Sequence, residues 1–326
     1  MNFSKSIFVT GGAGSISGMF IRSISQYFQD VSFQIIALDN DDTDLYRLQQ
    51  QFESGNHSLR CVLDDIVSFS SIEKHLDAFK PDFIFHSAAH KQVSLLEEFP
   101  ERTFLVNTEA SLRLFLAAKK RGIPVVFLSS DKAVEPNGLL GVSKWIAECA
   151  FLKWEIPGCV IRLPNLWDSK GAFFLEFPEI FRKKGFIPIT DKSASRYLLS
   201  ESTISAAFLD LIQYLNLFDG AIIVPDSVPK RNVYEFLLEL MKEHNLSESD
   251  IEVSGLRDGE KLHEKLYWVE ERMERVAGSN FVACYDTVMK WKNVDLERVL
   301  NVNGDYEEQI ETLREMFLGM RNDSKL

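Results

Sequence analysis

The stretch from Ser6 to Gly18 constrains this chain more than any other. An apolar run, Ser6-Ile7-Phe8-Val9-Thr10, passes directly into Gly11-Gly12-Ala13-Gly14-Ser15-Ile16-Ser17-Gly18 and then into a helical pattern. Glycine is needed where a backbone must turn tightly and approach a pyrophosphate with no Cβ in the way. The helix that follows turns its free N–H groups and the positive end of its dipole toward the phosphates. A glycine string alone is weak, and a plain strand–helix turn is the bland alternative. A strand before it, a helix after it and an alternating fold behind it make the dinucleotide reading the stronger one. Ser17 stands where a third glycine is usual, and serine is small enough for the helix to pack closely on the strand.

The alternation continues along the chain. Short apolar runs (Ile7–Val9, Ile35–Leu38, Leu59–Leu63, Phe83–His86, Val125–Leu128, Val160–Leu163, Ala221–Val224) are separated by amphipathic stretches such as Asp44–Phe52, Ile72–Phe79, Thr103–Lys120 and Gly141–Trp154. Strands apolar on both faces and joined by helices predict an α/β fold, a Rossmann-type doubly wound parallel sheet covered on both sides. Such a sheet binds its ligand at the carboxyl ends of its strands. After Pro164 the pattern changes: Trp167–Lys192 reads as loop and short helix, and helices follow at Ile204–Leu215, Val233–His244 and Tyr306–Met320. The reading places residues 1–163 and 194–224 in the dinucleotide domain and residues 164–193 and 225–326 in a smaller, discontinuous substrate lobe, with Asn322–Leu326 frayed.

Bulk properties exclude other classes. A net charge of −12 over 326 residues argues against a nucleic-acid binder, which needs a basic face. The four cysteines, Cys61, Cys149, Cys159 and Cys284, form no Cys-x-x-Cys pair and no zinc spacing, so no metal site is expected. No apolar run reaches the length of a membrane helix, and the expectation is a cytoplasmic protein with no anchor of its own.

Two further stretches carry chemistry. The second strand ends Leu38-Asp39-Asn40-Asp41, where an acid accepts the ribose hydroxyls of NAD and repels a 2′-phosphate, so NAD is favoured and NADP is the alternative. Asp64-Asp65-Ile66 follows the third strand. Asp64 is as readily a helix cap as an adenine contact, whereas for Asp65 the ligand reading is preferred. The fifth apolar run ends Ser129-Ser130-Asp131-Lys132, with Lys144 on the next helix. Hydroxyl, carboxylate and ammonium arrive together where the nicotinamide would lie. Hydride transfer from a sugar alcohol needs a proton acceptor and a cation there, and an adjacent acid and base suit elimination of water.

At this point the chain resembles the extended short-chain dehydrogenase/reductases, and within them the UDP-N-acetylglucosamine 4,6-dehydratases of polysaccharide biosynthesis. The strings that carry the resemblance are Thr10–Gly14, Phe85–Val93, Asn107-Thr108, Ser130-Asp131-Lys132-Ala133-Val134 with Gly141 and Ser143-Lys144, Arg162-x-x-Asn165, Ser195-Arg196-Tyr197 and Gly255–Glu264. One departure stands out: the superfamily's tyrosine four residues before the lysine is Leu140 here, and some dehydratases of this group carry methionine there.

The resemblance implies cofactor contacts from Gly11, Gly14, Ser15, Ile16, Asp39, Asp65, Ile66, Ala88 and Lys144. It implies substrate contacts from Asn165, Arg196 and Arg257; Lys91 is either another contact or structural. The implied partner is a UDP-N-acetylhexosamine, and the implied assembly a homo-oligomer joined through helices of the dinucleotide domain. The implied reaction oxidises C4, eliminates water across C5 and C6 and returns the hydride to C6. In it Lys132, with a lowered pKa, is the C5 base and Asp131 the acid for the C6 hydroxyl. Ser130 binds the C4 oxygen and Lys144 holds the nicotinamide ribose. The acceptor of the C4 hydroxyl proton stays open between Asp131, through water, and Lys132. A UDP-sugar epimerase on the same scaffold and a non-catalytic nucleotide-sugar binder are the rival readings.

Overall fold

A computed structural model describes residues 5–292, 294–300 and 304–320. Asn322–Leu326 lies outside the described residues. The strands are β1 Lys5–Thr10, β2 Phe33–Asp39, β3 Ser58–Leu63, β4 Phe83–His86, β5 Val125–Ser130, β6 Gly158–Leu163, β7 Asn165–Leu166, β8 Ile187–Ile189, β9 Ser195–Leu199, β10 Ala221–Pro225, β11 Lys230–Asn232, β12 Ile251–Val253, β13 Arg272–Arg275 and β14 Phe281–Tyr285. The helices are α1 Ser15–Tyr27, α2 Asp42–Gln51, α3 Phe69–Phe79, α4 Val93–Glu98, α5 Pro100–Thr103, α6 Ala110–Arg121, α7 Leu139–Lys153, α8 Phe173–Lys184, α9 Glu201–Tyr214, α10 Val233–Met241, α11 Leu296–Val299 and α12 Tyr306–Met320.

The central sheet runs β3-β2-β1-β4-β5-β6-β10-β14-β13. All neighbours from β3 through β10 pair in parallel, and β14 and β13 close the far edge antiparallel. Strand order reverses between β1 and β4, and the cleft expected at that switch point opens at their carboxyl ends. The inner strands read as nearly continuous apolar runs because both of their faces are covered. On one face Phe20 of α1 stacks on Phe85 of β4 with ring centroids 3.9 Å apart, and Phe208 of α9 packs edge-on against both. On the other face α3, α6, α7 and α12 share a single core. A third, smaller core joins α8, β8, β9 and α10 in the lobe.

The structure corrects two expectations. The segment read as loop and short helix contains the twelve-residue α8, with Pro178 inside it and Gly185 in the left-handed conformation ending it. Proline in a helix interior costs a backbone hydrogen bond, and here that cost is tolerated by packing of Phe174 and Phe177. Second, residues 225–326 are not wholly lobe: β14 pairs with β10 and extends the central sheet. Helix α7 is buried from Leu139 to Phe151, partly beneath this chain's own α12. There Trp154 donates its indole N–H to Gln309 at 2.9 Å and packs on Tyr306 at 5.0 Å.

Candidate active site

A cleft of about 490 Å3 runs along the carboxyl ends of the strands, from Asp39 and Asp65 past the glycine turn to Ser130, Leu140 and Lys144. The turn is as tight as its sequence suggests. Gly11 has φ +64, and a Cβ there would sit 2.8 Å from Cα of Ala88; one on Gly12 would sit 2.7 Å from the Ala37 side chain. Gly14 caps α1, so the helix N-terminus, Ser15 and Ile16 face the cleft with backbone N–H groups free for an anion. Ser17 is buried and its hydroxyl meets that of Ser87, which donates to the carbonyl of Thr10 at 3.0 Å. Serine in the third glycine position therefore ties α1 to β4.

Asp39 accepts from the backbone of Ala13 and of Asp41, both at 3.1 Å, which fixes its carboxylate beside the turn. Turn, helix N-terminus and Asp39 together make a site that fits NAD. Asp65 lines the cleft with Ile66 and accepts from Asn40 at 3.3 Å and from Arg102 at 3.4 Å. Asp64 also lines the cleft, and its carboxylate is held by Ser71 and His75.

The reactive groups gather at the end of β5. Ser130 donates to Asp131 at 2.9 Å, and the Lys132 ammonium reaches Asp131 Oδ1 at 3.1 Å, Asn165 Oδ1 at 3.3 Å and Glu264 Oε1 at 3.3 Å. Asn165 returns a bond to Asp131 Oδ2 at 3.4 Å. Around Glu264 stand two more cations, Arg196 at 3.9 Å and Lys261 at 3.6 Å. Asp131 and Glu264 are 1% and 2% exposed, so this is a buried cluster of two carboxylates and three cations.

The electrostatics overturn one expectation. Burial alone would pull the Lys132 ammonium down, but the Asp131 and Glu264 carboxylates outweigh it and hold its pKa above the ordinary lysine value. The predicted lowering of Lys132 therefore does not occur, because two anions face it instead of another cation. Burial pushes the Asp131 carboxyl up, whereas Lys132, Lys261 and Arg196 overcome burial at Glu264 and hold it down. Asp131 is thus the carboxyl of the pair that is easier to protonate.

Lys144 is different. It is 6% exposed, donates to the Leu128 carbonyl at 2.8 Å and sits 4.7 Å from the centre of the Phe127 ring. Burial draws its pKa down to about 8, opposed in part by Glu148. Glu148 itself is held by Arg162, which binds Glu148 and Glu271 through paired contacts of 2.7–3.0 Å, all three side chains fully buried. Glu148 also accepts from Ser129 at 2.5 Å, linking this network to the cleft wall.

The structure brings Ser130, Asp131, Lys132, Asn165 and Arg196 together, with Lys144 on the cleft wall alongside Ser130. Arg196 is anchored by its contacts to the carbonyls of Ser195 and Leu262, at 2.9 and 3.0 Å. Lys91 lines the dinucleotide cleft and comes close to Gly171. Arg257 is exposed on a loop whose Glu260 accepts its backbone N–H at 3.3 Å, and it is not among the residues lining the cleft. Sequence reasoning missed Glu264, Lys261, Arg102 and the Glu148–Arg162–Glu271 network. The signal for Glu264 was its place three residues after Lys261 at the end of the Gly255–Glu264 string.

Comparison with known proteins agrees with this geometry. The chain is 28% identical over 275 residues to the capsular polysaccharide biosynthesis protein CapD of Staphylococcus aureus, covering 81% of this chain and 45% of CapD. It is 28% identical to a UDP-glucose 4-epimerase of Rickettsia massiliae, covering 83% of this chain and 80% of that protein. The chain thus spans less than half the length of CapD. Its fold matches the structure of DesIV, a dTDP-glucose 4,6-dehydratase from Streptomyces venezuelae with NAD and TYD bound, at a TM-score of 0.69 and 19% identity over 80% of this chain and 88% of that one. A family described as polysaccharide biosynthesis protein matches residues 7–285, and the chain belongs to that family.

Proposed function

We propose that this protein is an NAD-dependent UDP-N-acetylglucosamine 4,6-dehydratase acting in surface polysaccharide biosynthesis. The observation that carries the reading is the buried Asp131–Lys132 pair, 3.1 Å apart at the end of β5 beside Ser130. Bound NAD supplies a hydride acceptor at C4 of the sugar and gives the hydride back at C6. Everything else falls to side chains. Ser130 binds the C4 oxygen, and Asn165 and Arg196 hold the sugar and diphosphate, arginine matching a diphosphate with its planar fork.

Lys132 takes the C5 proton only as a free amine, so its own proton must leave first. The nearest acceptor is Asp131, the carboxyl that burial makes easiest to protonate. One transfer across that contact creates both catalysts at once, an amine base for C5 and a carboxylic acid for the departing C6 hydroxyl. A binding module has no use for such a pair.

A second reading has a specific observation behind it: the similarity to proteins named UDP-glucose 4-epimerase. An epimerase shares the C4 oxidation but eliminates nothing. Incubating the NAD-loaded protein with UDP-N-acetylglucosamine and weighing the product by mass spectrometry separates the two. Loss of one water supports the dehydratase, an unchanged mass with altered C4 configuration supports the epimerase, and Lys132→Met abolishes the water loss if the assignment is right.

A further inference from the structure

Oxidation at C4 releases a proton from the C4 hydroxyl as well as a hydride, and the site must accept it. Asp131 already accepts from Ser130 and Lys132 on one oxygen and from Asn165 on the other. All three donors of the Lys132 ammonium point at acceptors, Asp131, Asn165 and Glu264, and the one proton it can pass to Asp131 is already needed for the C5 and C6 steps. Leu140 lines the cleft one helical turn before Lys144 and offers no oxygen. Lys144 itself lines the cleft, and its one hydrogen bond among the described residues goes to a neutral carbonyl, that of Leu128. We infer that Lys144, as a neutral amine, is the group that takes the C4 hydroxyl proton. This inference rests on the proposed C4 oxidation, which dehydratase and epimerase have in common.

The proton balance closes. The C4–H bond breaks with its electron pair moving to the nicotinamide, and the O–H proton passes to Nζ of Lys144, giving the ketone and an ammonium. The Asp131–Lys132 pair then removes the C5 proton and delivers one to the leaving C6 hydroxyl. Hydride returns to C6, Lys132 returns the proton to C5, and the Lys144 proton passes back to the pair. Water is the only species lost.

The charged and titratable groups facing Lys144 favour the neutral amine. His86 on β4 is buried and hydrogen-bonded to Thr10 and Ser111; burial and then Lys144 push its pKa down to about 3, so it adds no charge. Glu148, one turn further along α7, is the one carboxylate that supports the ammonium, and Arg162 on β6 binds it together with Glu271. The result is a lysine whose pKa lies at about 8.

The test uses the NAD-loaded protein, Lys144→Met and Lys144→Arg. Single-turnover absorbance of the reduced nicotinamide, with UDP-N-acetylglucosamine or UDP-glucose, reads the C4 step. The 4-keto-6-deoxy product, offered directly in deuterated water, bypasses that step and reads C5 exchange by the Asp131–Lys132 pair. The parent C4 rate is expected to rise with pH and level off above about 8. Both variants are expected to lose that rate by about a hundredfold or more, and Lys144→Met to keep C5 exchange within a few-fold. A variant that oxidises C4 at the parent rate overturns the inference, as does one that loses both steps together. If the parent epimerises instead of dehydrating, the dehydratase reading falls while the C4 step still tests Lys144. If the parent oxidises neither sugar, both fall. NMR titration of the labelled lysine in the parent gives an activity-free check, and a midpoint above pH 10 overturns the inference.

Discussion

Removing the Lys144 ammonium should make the protein more stable while disabling it. Burial lowers the Lys144 pKa from 10.5 to about 8. Each unit corresponds to about 1.4 kcal/mol, so the folded state bears a penalty of roughly 3 kcal/mol for holding this cation. The sign follows from proton counts. Between about pH 8 and 10.5 the unfolded chain binds a proton at Lys144 that the folded chain does not, so this group adds stability as pH rises. Below pH 8 the penalty is fully in place. Lys144→Met removes it and also removes the bond to the Leu128 carbonyl, a loss that is the same at every pH. The difference between variant and parent in urea unfolding, followed by circular dichroism on the cofactor-free protein, should therefore favour the variant by roughly 2–3 kcal/mol more at pH 7 than at pH 10. A difference that does not change with pH would refute the electrostatic reasoning.

Three further outcomes are expected. Glu264→Gln takes away the second carboxylate facing Lys132, so the Lys132 titration seen by lysine NMR should move to lower pH, whereas a Glu264 that merely packs would leave it in place. Arg162→Met strands two buried carboxylates and should cost about 3–5 kcal/mol in denaturant unfolding at neutral pH. That cost should shrink as pH falls and Glu148, whose carboxyl burial already pushes up, takes a proton. Asp39→Ser should weaken NAD binding about tenfold and strengthen NADP binding, read by calorimetry, because the acid beside the ribose is gone.

Much of the fold was legible because it rests on local rules. The glycine turn needs Gly11 at positive φ, and strands buried on both faces must be apolar throughout. What escaped had the opposite character. β13 is Arg-Met-Glu-Arg, exposed along its length, and no hydrophobic period marks it; it is a strand only because β14 lies beside it. Pro178 masked α8. At the site, Asp131, Lys132 and Lys144 could be named from one string, but their charge states could not. Glu264 lies 132 residues after Lys132 in the chain, and only the fold sets its carboxylate against that ammonium. Sequence proximity suggested a depressed Lys132, and three-dimensional proximity assigns the depression to Lys144.

The central claim is tested most directly by following UDP-N-acetylglucosamine by NMR in deuterated water with the NAD-loaded protein. The account predicts a new C6 methyl group, a keto or hydrated C4 and deuterium at C5. A sugar that keeps its C6 alcohol, whether inverted at C4 or unchanged, would contradict it.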